Sequence, residues 1–312
     1  MNDSAHAIPS QPDATAGDYM VSALALNGQV RAFACRTTRL CQEAQNIHQM
    51  SPVAAVALGR LMTGVLLMAE QGLKNTTDTI SMIIRSNGPL QGMTVVGSGH
   101  QTVRGYCYQP VVETLYKRPG KLDIGQAVGE GTLTVIKDLG LKEPYMGKVE
   151  LVSGEIAEDI TYYLASSEQT PSAVGLGVLV DANGISHAGG FMVQMLPDAT
   201  EETIQYLETR LSGFPEVTYW MQEGFNPDQI LDLLFGDPQI RYFPHKPLAY
   251  TCTCSRERME QNLIALGARE ISELAQDPEG INLECHFCAK HYRFSQQQLQ
   301  NLLAEMVKPR PD

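Results

Sequence analysis

Four of the seven cysteines in this chain of 312 residues lie beyond residue 250. They form a C-x-C pair, Cys252 and Cys254, and a C-x-x-C pair, Cys285 and Cys288, with 30 residues between the pairs. No other feature constrains the fold as much. A tail of about 60 residues buries little apolar surface, and such pieces generally need a metal or disulfides to hold together. A C-x-x-C turn lets two thiolates converge on one point, and a C-x-C pair does so with a tighter backbone. Four thiolates arranged tetrahedrally make a structural zinc site. The spacing therefore predicts one zinc ion on Cys252, Cys254, Cys285 and Cys288. His286 and His291 lie nearby, but four cysteines already complete the tetrahedron. Cys35, Cys41 and Cys107 have no paired neighbours and fall in predicted core elements, where cysteine behaves as a small apolar residue.

The cysteine pattern alone leaves three readings open. The first is a static knuckle that only holds the tail. The second is a thiol–disulfide exchange centre, although Cys285-His286-Phe287-Cys288 lacks the βαβ surroundings such centres use. The third is a redox sensor. Thiolates held by zinc are nucleophiles, and oxidation of either pair removes two of four ligands. A tail that depends on the metal would then unfold.

Charge narrows the field. The net charge of -12 repels a phosphate backbone. From Cys252 onward, seven Lys or Arg face nine Asp or Glu, so no basic stripe supports a nucleic-acid-binding zinc ribbon. The N-terminus, MNDSAHAIPSQPDATAGD, has neither a basic nor an apolar region of the secretory kind. Residues 1–16 are expected to be a disordered lead-in, and the chain to be cytoplasmic, where thiols stay reduced. The run VAAVALGRLMTGVLLMA carries Arg60 and two glycines and reads as a buried core helix, not a membrane span. No G-x-x-x-x-G-K-[ST] phosphate loop occurs anywhere.

Along the chain, Asn27-Gly28 and Asn183-Gly184 predict hairpin turns. Ser51 and Pro52 predict a helix start, with the helix running to about Gln71. ISMIIRS, GMTVVGS and TVRGYCYQ read as an antiparallel meander, and GTLTVIKDLG with YMGKVELVSG as a further strand pair. The acidic residues Glu155, Glu158 and Asp159 stand at a predicted helix N-terminus and read as structural. Residues 17–196 therefore predict an α+β core domain built on antiparallel sheets with packed helices. Residues 197–247 predict a linker of short helices, anchored through Leu207, Leu211, Leu231 and Leu234, with Thr200 and Asn226 as N-caps. Between Pro197 and His245, nine acidic residues face Arg210 and Arg241, a local charge of -7. Residues 248–312 predict the small C-terminal zinc-binding domain: two helices broken at Gly267, a strand–knuckle–strand, and a last helix opened by a Ser295–Gln298 capping box.

With the cysteine tail, the segments GEIAEDITYYLASSEQTPSAVGLGVLV (Gly154–Val180) and AGGFMVQMLP (Ala188–Pro197) resemble the redox-regulated chaperones of the heat-shock protein 33 family. The similarity extends over nearly the whole chain after residue 17 and shows no departure at the four cysteines. The resemblance implies a non-enzymatic, ATP-independent holdase. Its reduced form would bind zinc and be inactive. Oxidants would form disulfides Cys252–Cys254 and Cys285–Cys288 and release zinc. The linker would then unfold, expose a surface for unfolding client proteins and allow homodimers to form. Nucleic acid and membrane are not among the implied partners.

Overall fold

In the computed structural model, residues 17–307 are described; the predicted lead-in at 1–16 lies outside them. The chain forms two compact units, one ending at Tyr250 and one beginning at Thr251. The first opens with a hairpin, β1 (Tyr19–Ala25) and β2 (Val30–Arg36), then α1 (Thr38–His48) and α2 (Pro52–Gly72). The meander follows as β3 (Thr79–Ser86), β4 (Gly92–Ser98) and β5 (Thr102–Cys107). A small hairpin, β6 (Tyr116–Arg118) and β7 (Lys121–Leu122), leads through α3 (Ile124–Val128) to β8 (Gly131–Asp138) and β9 (Tyr145–Glu150). Next come α4 (Ala157–Ser166) and the long hairpin β10 (Ser172–Asp181) and β11 (Gly184–Met195). The linker forms α5 (Glu201–Ser212), α6 (Val217–Gln222) and α7 (Pro227–Phe235). Three two-residue strands close the unit: β12 (Arg241–Tyr242), β13 (Lys246–Pro247) and β14 (Ala249–Tyr250).

The α+β architecture is as expected. One sheet runs β10-β11-β2-β1, with β12 and β13 on the outer edge of β1; the other runs β14-β5-β4-β3-β8-β9. All pairs are antiparallel except β14 with β5. Helix α2 packs against strands of both sheets and is buried around nearly its whole circumference, apart from Arg60 and the polar residues of its last turn, so it carries no long polar stripe. It is long and apolar enough to cross a membrane, but 89% of its most apolar window is buried in protein. Gly64 allows this fit: a Cβ there would come 2.4 Å from Ile160 Cδ1. Pro52 opens the helix as predicted, yet Ser51 does not cap it. Its hydroxyl instead accepts from the Val112 amide at 3.3 Å.

The acidic segment at the start of α4 is structural, and more specifically so than a helix-dipole preference. Asp159 is fully buried. One carboxylate oxygen accepts from the amides of Val152, Ser153 and Gly154 at 2.7, 3.1 and 3.3 Å, and the other from Ile156 at 2.9 Å. This clasp holds Ile156 at φ 74, a conformation branched residues avoid. Asp159→Ala would leave four donors unsatisfied and is expected to destabilise the first unit by roughly 2–4 kcal/mol. Urea unfolding monitored by far-ultraviolet circular dichroism measures it.

The linker helices lie on the face of the first sheet opposite α2. Val21, Ala23, Val30, Ala32, Ala34 and Val193 form that face, and Leu207, Val217, Met221, Ile230, Leu231 and Leu234 cover it. Both sheet faces are thus buried, so β1 and β2 bury side chains on both faces instead of alternating buried with exposed. Gly177 brings α6 close, since a Cβ there would meet Thr218 Cγ2 at 2.3 Å. Thr200 and Asn226 cap α5 and α7 as predicted. Leu207, Leu231 and Leu234 are buried, and Leu211 is partly so. Arg210 donates to the Leu234 carbonyl at 2.9 Å and also to that of Leu233, at the C-terminus of α7.

Several linker carboxylates are docking contacts as well as solvated charges. Asp228 accepts from Tyr19 Oη at 2.9 Å and meets His245 Nε2 at 2.7 Å. Asp237 accepts from the Leu26 amide at 2.6 Å, and Glu216 pairs with Lys121 at 2.7 Å. The strap from Arg241 to Tyr250 is tied down too. Lys246 Nζ reaches both oxygens of Glu70 at 2.8 and 2.9 Å, and Glu70 also takes Ser22 Oγ and Gln101 Nε2. Tyr250 donates to the Gly105 carbonyl at 3.1 Å.

The second unit contains α8 (Arg256–Leu266), α9 (Ala268–Leu274), the hairpin β15 (Ile281–Glu284) and β16 (His291–Phe294), and α10 (Gln296–Val307). Ser295 and Gln298 form the reciprocal cap expected from sequence. The apolar core is small, centred on Leu263, Ile271, Phe294 and Leu299.

Candidate metal centre

The second unit brings the four tail cysteines to one point. The sulfurs of Cys252, Cys254, Cys285 and Cys288 all lie within 4.8 Å of one another. Cys285 directly follows β15, and its carbonyl accepts from the amides of Cys288 at 3.2 Å and Ala289 at 2.8 Å. Ala289 takes a left-handed φ of 55, which closes the knuckle between the two strands. On the other side, Cys252 and Cys254 are half-buried, while Thr253 between them is exposed. Arg258 holds that segment, donating to the Thr253 carbonyl at 3.1 Å and to its hydroxyl at 2.6 Å. Ser255 caps the following helix.

Two sulfur–sulfur distances run across the pairs: 3.7 Å for Cys252 to Cys285 and 3.4 Å for Cys254 to Cys288. A tetrahedron with Zn–S bonds of about 2.3 Å has edges of about 3.8 Å. The donor set and its spacing therefore fit a soft, tetrahedral ion. Cys285 is buried and the other three are half-buried. His286 and His291 are exposed and outside the cluster; His291 Nδ1 instead meets Asn282 Nδ2 at 3.1 Å.

Sequence reasoning missed Tyr292, whose hydroxyl donates to Cys254 Sγ at 3.0 Å. Its position on β16, opposite Leu283, carries it there, and no spacing rule would have identified it. Burial works against ionising Cys254. The Tyr292 hydroxyl and the thiols of Cys288, Cys252 and Cys285 outweigh that and lower its pKa to about 7. Burial pushes Cys252 and Cys288 up. The other three cysteines lie in the core of the first unit. Burial raises Cys41 and Cys107 to about 12 and pushes Cys35 up further, so they stay protonated and inert.

The fold and the site define a class: a body whose apolar sheet face is covered by helices of its own chain, with a small thiol-cluster unit following it in sequence. The sequence model of the family described as Hsp33 protein matches residues 18–295. A 33 kDa chaperonin of Ruminiclostridium cellulolyticum is 47% identical over 292 residues, 94% of this chain and all of that one. Another, from Acetivibrio thermocellus, is 45% identical over 92% of this chain and 97% of its own. The crystal structure of the 33 kDa chaperonin, heat shock protein 33 homolog, from Thermotoga maritima superimposes with a TM-score of 0.84 at 34% identity, covering 93% of this chain and 99% of that one. The chain belongs to the Hsp33 family of chaperones.

Proposed function

We propose that the protein is a cytoplasmic, ATP-independent holdase switched on by oxidation, with Cys252, Cys254, Cys285 and Cys288 as both clasp and sensor. The observation that carries this reading is the convergence of the four sulfurs in a unit with a small core of its own. One zinc ion on these thiolates would cross-link the unit and supply the stability its core lacks. In this reading, residues 17–196 are the client-protecting core, 197–247 the covering linker and 248–312 the switch.

Oxidation joins Cys252 to Cys254 and Cys285 to Cys288. Joining two thiolates in each S–S bond passes two electrons to the oxidant, a peroxide or hypochlorite, which takes protons from solvent and leaves as water, or as water and chloride. All four ligands are thereby lost, and residues 251 onward lose their cross-link. Cys252 follows Tyr250 by only two positions, so disorder there frees the end of the strap. The strap holds α7 through Tyr242, which donates to Asp232 at 2.6 Å, and through His245 on Asp228. Its loss loosens the linker. Linker self-repulsion, -7 between Pro197 and His245, then keeps it extended. The sheet face and the apolar side of the helices become available to unfolding proteins and to a second copy of the chain.

Light scattering of a heat-unfolding client protein, with zinc assayed in parallel, tests the proposal. Suppression after oxidation only, with zinc loss, is the expected result. Zinc retained and no suppression in either state would reduce the cluster to a structural knuckle. The Tyr292 contact adds a prediction. Partners of metal ligands typically contribute a factor of about 10–100 in affinity. Tyr292→Phe should retain zinc but lose it to a competing chelator at roughly 10- to 100-fold lower concentration than the unsubstituted chain.

A further inference from the structure

A cavity of about 320 Å³ lies where the linker meets the rest of the first unit. Arg36 at the end of β2, Arg39 of α1 and His187 of β11 line it from the body. Met221 of α6, and Phe225 and Pro227 where α6 passes into α7, line it from the linker. The cavity is therefore complete only while the linker is docked. Its size is at the low end of small-molecule sites, which span about 300–1,000 Å³.

The two walls differ in chemistry. The body wall is cationic and within reach of solvent: Arg36 is half-buried and Arg39 exposed. Arg36 is held in place, since Nη2 donates to the Gly17 carbonyl at 2.7 Å and the guanidinium lies over the Tyr19 ring at 5.4 Å. Asp18 is the one acidic residue of the lining, and its two oxygens accept from the amides of Arg39 and Leu40 at 3.2 and 2.7 Å. Two guanidiniums thus meet one carboxylate that is already bonded, a local positive excess on a chain of net charge -12. His187 adds a polar ring whose Nδ1 is buried with no hydrogen-bond partner among the described residues. The linker wall is apolar, with Met221 and Pro227 buried and Phe225 partly so.

We infer that this cavity binds a small organic anion, a carboxylate or phosphate head on a compact apolar body, and that the bound anion fastens the linker to the sheet. A guanidinium holds either head through paired N–H donors. The apolar body would lie against Met221 and Phe225. A ligand that needs both walls binds the docked chain and not the released one. At a hundred times its Kd it therefore favours docking about 100-fold. Oxidation would still take the zinc, but the linker would follow late, so the chain would respond fully to an oxidant only when the anion is scarce. The effect on activation rests on the holdase reading, whereas the binding itself does not.

The test uses the full reduced, zinc-loaded chain and two probes, phenylacetate and phenyl phosphate, in titration calorimetry. Saturable binding of at least one is expected. Benzyl alcohol, which lacks the charge, and inorganic phosphate, which lacks the apolar body, should each bind about tenfold more weakly or worse. Arg39→Glu should weaken the bound probe by a similar factor. Arg39 is exposed, so that variant should fold, which circular dichroism checks, and the comparison of probes needs no variant. The amides of Gly224 and Phe225, bonded to the Met221 and Trp220 carbonyls, should exchange about tenfold more slowly with the probe at ten times its Kd. On oxidation, saturating probe should delay the red shift of Trp220, whose ring lies 5.3 Å from that of Phe225, without delaying zinc release. Binding of neither probe, equal binding of benzyl alcohol, or undiminished binding to Arg39→Glu would overturn the anion site. Equal binding of inorganic phosphate would overturn the apolar half of the recognition. Unchanged exchange at Gly224 and Phe225 would overturn the fastening of the linker. Failure of Trp220 to shift in the oxidised chain without any probe would instead overturn the holdase switch and leave the binding measurement standing.

Discussion

Leu231→Asp and Leu234→Asp are expected to suppress client aggregation in the reduced state, with zinc still bound. Both leucines are fully buried between α7 and the sheet. Truncating a buried leucine typically costs about 2–5 kcal/mol, and an unpaired buried carboxylate adds several more. Three short helices of like charge have little stability of their own to resist this. Trp220 supplies an independent readout. It is the only tryptophan, and it packs against Phe214, Tyr219 and Phe225 with ring centroids 5.6, 5.1 and 5.3 Å away. Release of the linker should red-shift its emission in step with activity. Variants that stay inert with unshifted emission would refute docking as the restraint on activity.

The second large effect is expected at Cys285. Cys285→Ser removes the most buried of the four sulfurs. If each ligand carries about a quarter of an apparent zinc-binding free energy of roughly 10–16 kcal/mol, the loss is about 3–4 kcal/mol. Zinc binding then weakens by a factor of several hundred, by the rule that about 1.4 kcal/mol is tenfold. Amides of β15 and β16 should exchange near the rate of an unfolded chain at zinc concentrations that protect the unsubstituted protein. Competition against a chelating dye measures the first effect and hydrogen exchange the second. Unchanged affinity in this variant would mean that the sulfurs do not act as one site.

Much of this could be read from residue order because it rests on local rules. The Asn183-Gly184 turn, the meander and the caps at Thr200, Asn226 and Ser295 are set by residues within a few positions of one another. The four cysteines were legible because ligand chemistry imposes a spacing. What escaped the sequence depends on distant partners. The strap strands are two residues long and carry no periodic pattern. Asp228, Asp232 and Asp237 looked like solvated charge because their partners, Tyr19, Tyr242 and Leu26, are identified only by the folded sheet. Tyr292 reaches Cys254 across 38 positions, through a hairpin register no motif encodes. That β10 ends its sheet is a property of strand order, which hairpin signals leave undetermined.

One strap, Arg241 to Tyr250, covers strand edges in both sheets at once: β1 through β12 and β13, and β5 through β14. A body that loses it presents two fresh templates for strand pairing, and those templates do not distinguish a client from a sibling. In the proposed holdase, holding capacity and self-association would then draw on the same unpaired backbone, so the two would compete. The yield of protected client per chain should fall as the protein itself becomes concentrated, and a dilute pool should rescue more client per molecule than a dense one.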